Sequence, residues 1–123
     1  MSKQIIFTDK APAAIGPYSQ AVLSNGTLYV SGQIALMAAQ FGASIEEETR
    51  QVMENLKAIL EAAEMNFENV VKCSIFVKDM NNFATINEVY SRYFEANPPA
   101  RETVEVARLP KDVNVEISCI AVK

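Results

Sequence analysis

A chain of 123 residues is long enough for one domain with a hydrophobic core and too short for two. Half of its residues are hydrophobic and 21% are charged, a balance that excludes intrinsic disorder. Its formal net charge of −4 lacks the basic excess with which nonspecific binders neutralise phosphates, which argues against nucleic acid as the main partner.

No apolar run approaches the roughly 18 residues of a membrane span, and Met1-Ser2-Lys3-Gln4 does not open a signal peptide. A soluble, cytoplasmic protein with no membrane partner is expected. Cys73 and Cys119 fall in strand-like segments and read as buried free thiols, because a lone disulfide does not suit a reducing compartment. The chain has no histidine, which rules out a Ser-His-Asp triad, a Cys-His pair and a His-ligated zinc. It also lacks CxxC, GxGxxG and P-loop motifs. Chemistry is left to arginine, carboxylates, hydroxyls, backbone amides and water.

Gln4 to Phe7 reads as a first strand, followed by a proline-containing loop through Tyr18. Ala21 to Ser24 and Thr27 to Val30 flank Asn25-Gly26, whose tolerance of positive φ predicts a type I′ hairpin. The run Gln33 to Gly42 is an unusually apolar loop. Ser44-x-x-Glu47 predicts a capping box. Behind it Ile45, Thr49, Val52, Met53, Leu56, Ile59, Leu60 and Ala63 share a helical stripe, giving a long amphipathic helix to about Glu64.

Val70 to Val77 reads as a strand with Val71, Cys73, Ile75 and Val77 on one face. Asn81-Asn82 opens a second helix carrying Phe83, Ile86, Val89, Tyr90, Tyr93 and Phe94, which Pro98 stops. Strands near Glu102 to Val106 and Asn114 to Ala121 follow, and Leu109-Pro110-Lys111-Asp112 allows an antiparallel hairpin between them. In the last strand Val115, Ile117, Cys119 and Ala121 share one face, and Asn114, Glu116 and Ser118 the other. The order predicts an α+β fold in one domain over residues 1–123, a mostly antiparallel sheet with two helices packed on one face.

One arginine stands apart. Asn97-Pro98-Pro99-Ala100-Arg101 puts a permanently charged, planar fork of donors behind a proline-stiffened turn, a geometry suited to gripping a carboxylate. Taken alone it marks an anion site, or an ordinary surface arginine worth less than about 1 kcal/mol in an ion pair. Together with Gly16-Pro17-Tyr18-Ser19-Gln20 and Val30-Ser31-Gly32-Gln33-Ile34, the segment resembles the RidA/YjgF/UK114 family of enamine/imine deaminases. The likeness runs from about Ala11 to the end.

That resemblance implies a chorismate-mutase-like fold, a homotrimer with clefts between subunits, and no metal or organic cofactor. It implies that Arg101 holds a substrate carboxylate, that Glu116 directs a water, and that Tyr18 orients substrate or water. Ser31, Gly32, Asn87 and Thr103 would line the substrate cavity. Each also has a plain structural role available: Glu116 on a solvated sheet face, Tyr18 as a half-buried aromatic, Asn87 as a helix-surface amide. Family members often carry cysteine where this chain has Thr103, so a thiol nucleophile is not available there. They also often carry glutamate where it has Ser118. Arg108 defaults to a structural ion pair. The implied activity is hydrolysis of 2-aminoacrylate-type enamines and imines to 2-keto acids and ammonia. A trimeric 2-keto-acid-binding regulator is the alternative, and the endoribonuclease label of some relatives the least favoured.

Overall fold

The computed structural model of the chain describes residues 2–123. Six strands form one sheet: β1 (Gln4–Ile6), β2 (Ala21–Ser24), β3 (Thr27–Gln33), β4 (Val70–Val77), β5 (Ala100–Glu105) and β6 (Val115–Val122), in the spatial order β1-β2-β3-β6-β4-β5. Three helices accompany them: α1 (Leu36–Gln40), α2 (Ile45–Ala62) and α3 (Phe83–Ser91). Every strand pairing is antiparallel except β4 with β5, which is parallel. The fold is therefore α+β, as expected.

The β2–β3 hairpin turns at Asn25 and Gly26, with φ of 52° and 78°, the positive pair that a type I′ turn requires. Helix α2 starts where Ser44 accepts a hydrogen bond from the Glu47 amide at 3.1 Å. The Glu47 carboxylate does not complete the box, because Arg50 engages both of its oxygens at 2.9 and 2.5 Å. One sheet face is buried under α2 and α3. Leu28, Val30, Ile75, Val77, Ile117 and Cys119 meet Val52, Leu56, Ile59 and Leu60 of α2 and Ile86 of α3 in one core.

Four expectations are corrected. The last two strands are not a hairpin: β6 inserts between β3 and β4, and β5 joins β4 in parallel through α3. Val71 is exposed and Val70 buried, because the register shifts between Val70 and Lys72 and moves the first residues of β4 by one. The second helix is entered through a 3-10 turn over Met80–Asn82, capped by Asp79 accepting from the Asn81 amide, and it ends at Ser91. The apolar Gln33–Gly42 segment contains α1, and it leaves Met37 and Phe41 65% and 78% exposed.

Candidate functional site

The residues singled out from the sequence fall into two clusters. Arg101 pairs in register with Cys73, which is buried on the helix-covered face, so the arginine leaves β5 on that same side. Its guanidinium carbon lies 5.1 Å from the Tyr90 ring centroid and 5.7 Å from that of Phe83. Nη1 donates to Asn87 Oδ1 at 2.5 Å. Phe83, Asn87 and Tyr90 follow one another at i, i+4 and i+7, so one stripe of α3 receives the cation. Among the described residues no carboxylate ion-pairs with Arg101, although Arg50, Lys72, Lys78 and Arg92 each have such a partner.

A cavity of about 420 Å³ opens beside this cation, walled by Asn87, Tyr90, Ser91, Phe94, Pro98 and Pro99. Thr103 lies two residues along β5, and its hydroxyl is buried without a hydrogen-bond partner among the described residues. A larger recess of about 580 Å³ lies near Asn66, Phe67 and Arg92. Its arginine is already held by Glu46 and Glu88, so the cavity beside Arg101 is the better anion site.

The second cluster is on the open face. Glu116 pairs with Phe76 and alternates with the buried Val115 and Ile117, so its carboxylate points away from the helices. Gly32 lies directly against it, where the β3–β6 register breaks between Val30 and Gln33. A Cβ at residue 32 would stand 2.5 Å from Glu116 Oε2, so a side chain there would displace the carboxylate. Burial raises the Glu116 carboxyl above the ordinary carboxylate value.

Ser31 ties the preceding loop to this point. Its hydroxyl donates to the Ser19 carbonyl at 2.6 Å and its amide donates to the Gln20 carbonyl at 2.9 Å. Gln20 in turn is buried and anchors the loop, its side-chain amide donating to the carbonyls of Thr8 and Pro12 at 3.0 and 2.8 Å. Tyr18 stands half exposed at the end of this anchored segment.

Ser31, Gly32 and Glu116 thus belong to one region, to which Tyr18 is joined only through its neighbour Ser19, and Arg101, Asn87 and Thr103 to another. Within a single chain the two regions do not meet. Arg101 and Glu116 lie on opposite faces of the sheet, two strands apart. The cysteines are free and buried directly opposite each other on β4 and β6, and burial raises both thiols, which keeps them protonated and inert. Sequence reasoning placed Phe83 and Tyr90 only in an apolar helix stripe. Their spacing around Asn87 was the available signal for a cradle.

Residues 8–123 match the family described as endoribonuclease L-PSP. The chain belongs to this family. Within the L-PSP family, the rat 2-iminobutanoate/2-iminopropanoate deaminase is 48% identical, over 98% of this chain and 90% of its own. The crystal structure of the Escherichia coli YjgF gene product superposes with a TM-score of 0.90 at 46% identity, covering 98% of both chains. That of E. coli TdcF with bound serine gives 0.91 at 44% identity, again over 98% of both chains. Other L-PSP family relatives, at up to 53% identity, carry only the name RutC family protein. The YjgF likeness bears out the resemblance seen in the sequence.

Proposed function

We propose that this protein hydrolyses small 2-imino acids and their enamine tautomers to 2-keto acids and ammonia, in clefts between the subunits of a homotrimer. The observation that carries the reading is Arg101, a cation held by two rings and one amide, with no carboxylate partner among the described residues, beside an open cavity. Such a fork is complementary to a substrate carboxylate, and each charge-assisted hydrogen bond contributes about 1.5–3 kcal/mol.

The chemistry asks little beyond placement, because an imine carbon is already electrophilic. Water adds to C2 of R–C(=NH)–COO⁻, forming a C–O bond and leaving a carbinolamine. Collapse breaks the C–N bond, releasing ammonia and R–C(=O)–COO⁻. Glu116 takes a proton from the attacking water and passes it to the imine nitrogen, then carries the carbinolamine hydroxyl proton to the departing amine as the carbonyl forms, a role favoured by a carboxyl whose affinity for protons is raised. Tyr18, Ser31 and the backbone at Gly32 and Thr103 hold the nitrogen and the water, while Asn87 steadies the arginine. No metal or organic cofactor enters this scheme.

The separation of Arg101 from Glu116 within one chain calls for a second copy to complete the site. The open face offers the surface for it. Ile5, Val22, Tyr29 and Ile120 form one apolar row across four strands on the Glu116 side, with Ile5 and Tyr29 both exposed. The names of the deaminase relatives support the activity, and serine in the TdcF crystal supports a small amino-acid-like ligand. That same serine favours a second reading, in which the cleft binds 2-keto or amino acids without turnover. RNA cleavage fits less well with a net charge of −4.

The test couples the purified protein to a pyridoxal-phosphate serine or threonine dehydratase and traps the imine with semicarbazide. We expect keto-acid formation to outrun the trap with wild type and to fall to the uncatalysed level with Arg101→Ala. No acceleration over an inert protein, with 2-oxobutanoate still bound, would favour the binding reading.

A further inference from the structure

We infer that Tyr90, with Phe83, is the positioning residue that fixes the Arg101 guanidinium for its ligand, an aromatic cradle on which the carboxylate clamp depends. The inference rests on the carboxylate-binding reading of Arg101 but not on catalysis. A long arginine on an edge strand has a wide choice of rotamers, and freezing it against water is costly. Two ring faces within 6 Å offset that cost through the attraction of a cation to the π cloud, while Asn87 takes one N–H on the edge of the fork. Arg101 itself lines the cavity that Tyr90 also lines.

The Tyr90 ring is itself held. It packs on Phe94 with centroids 4.9 Å apart, and Phe94 meets Phe67 edge-on at 5.3 Å, so a file of three rings runs from the body of the protein to the cation. The hydroxyl takes no part in the clamp: it is buried on a residue only 5% exposed, beside the Cys73 thiol, and bonds neither Arg101 nor Asn87. The ring face is therefore the working part of Tyr90.

The experiment compares Tyr90→Leu, Tyr90→Phe and Phe83→Leu. The side-chain Nε–Hε resonance of Arg101, assigned by its loss in Arg101→Lys, is expected to be ring-current shifted upfield in wild type. It should stay shifted in Tyr90→Phe and return to the ordinary arginine position in Tyr90→Leu. Binding of 2-oxobutanoate should weaken roughly 3- to 30-fold in Tyr90→Leu, the range of a lost cation–π contact, and less in Phe83→Leu. Tyr90→Phe should restore wild-type affinity. In the coupled assay the loss should appear in KM with kcat nearly kept. An unshifted Arg101 resonance in wild type, or full affinity in a folded Tyr90→Leu, overturns the cradle. A shifted resonance in a protein that binds 2-oxobutanoate but turns nothing over leaves the cradle standing and refutes only the deaminase activity. Should Tyr90→Leu not fold, Phe83→Leu carries the same resonance and affinity test, and unchanged values there count against the inference.

Discussion

At the scale of single residues, Glu116 separates binding from chemistry. Its carboxyl is shifted upward by burial alone, so the folded protein holds that proton more tightly than the unfolded chain does. The unfolded chain therefore gives up the proton first as pH rises from the ordinary carboxylate value, and stability falls through that window until the folded group has ionised too. Once ionised, Glu116 is a cost to the fold, which is tolerable where a charge is wanted for work. Two consequences follow for the proposed hydrolysis. The acid limb of the rate profile should lie above the ordinary carboxylate value of 4.5, because the base must be ionised to accept a proton. Glu116→Gln should lower kcat by about 10²- to 10⁴-fold while leaving 2-oxobutanoate affinity and the urea midpoint at pH 7 no worse than wild type. A variant that keeps full activity would remove Glu116 from the mechanism.

Between elements, the start of β6 is set by a buried acid that sequence reading passed over. Glu48, fully enclosed on α2, accepts from the Asn114 amide at 2.9 Å and from its side-chain nitrogen at 2.7 Å. This clasp fixes the strand two residues before Glu116. Glu48→Ala should cost about 3 kcal/mol by removing two charge-assisted hydrogen bonds from part-buried Asn114 donors, read as a lower urea midpoint with an unchanged slope. An unaltered midpoint would mean that water replaces the carboxylate at no cost. The clasp was illegible because Glu48 lies in a charged stretch, Glu46-Glu47-Glu48, where the apolar period of α2 does not reveal which carboxylate turns inward. Local patterns fared better: the stripe of α2, the Asn25-Gly26 turn and the alternation of β6 are visible because each is dictated by near neighbours. Partner choice is not local. The loop at Pro110 is compatible with a hairpin, yet β6 is taken by β3 and β4, and β5 finds β4 after the α3 crossover. The face of Arg101 was equally hidden, since β5 is exposed apart from the partly buried Thr103 and its apolar Val104 is no more buried than its polar neighbours. Family likeness picked out Arg101 and Asn87, and the structure brings these two together. It could not separate them from Glu116 by a sheet.

For the whole molecule, that separation turns an expectation of assembly into a measurable one. If each cleft draws Arg101 from one subunit and Glu116 from the next, neither Arg101→Ala nor Glu116→Gln alone assembles an intact site. A mixed trimer can, wherever the Glu116→Gln subunit supplies its arginine to an Arg101→Ala subunit that retains its glutamate. Random mixing in equal amounts leaves roughly a quarter of the clefts with both groups, since each must independently come from the unaltered chain. Co-refolding two inactive variants should then restore about a quarter of wild-type turnover, whereas mixing them without subunit exchange should restore none. An analogous mixture of Arg101→Ala with Arg101→Lys controls for simple stabilisation by mixing. Were the site instead confined to one chain, the co-refolded sample would stay as inactive as its parts. The apolar row of Ile5, Val22, Tyr29 and Ile120 gives the physical handle for the same test. A charge placed there, as in Tyr29→Asp, should split the assembly into monomers in sedimentation and abolish turnover together, although it lies on neither cluster.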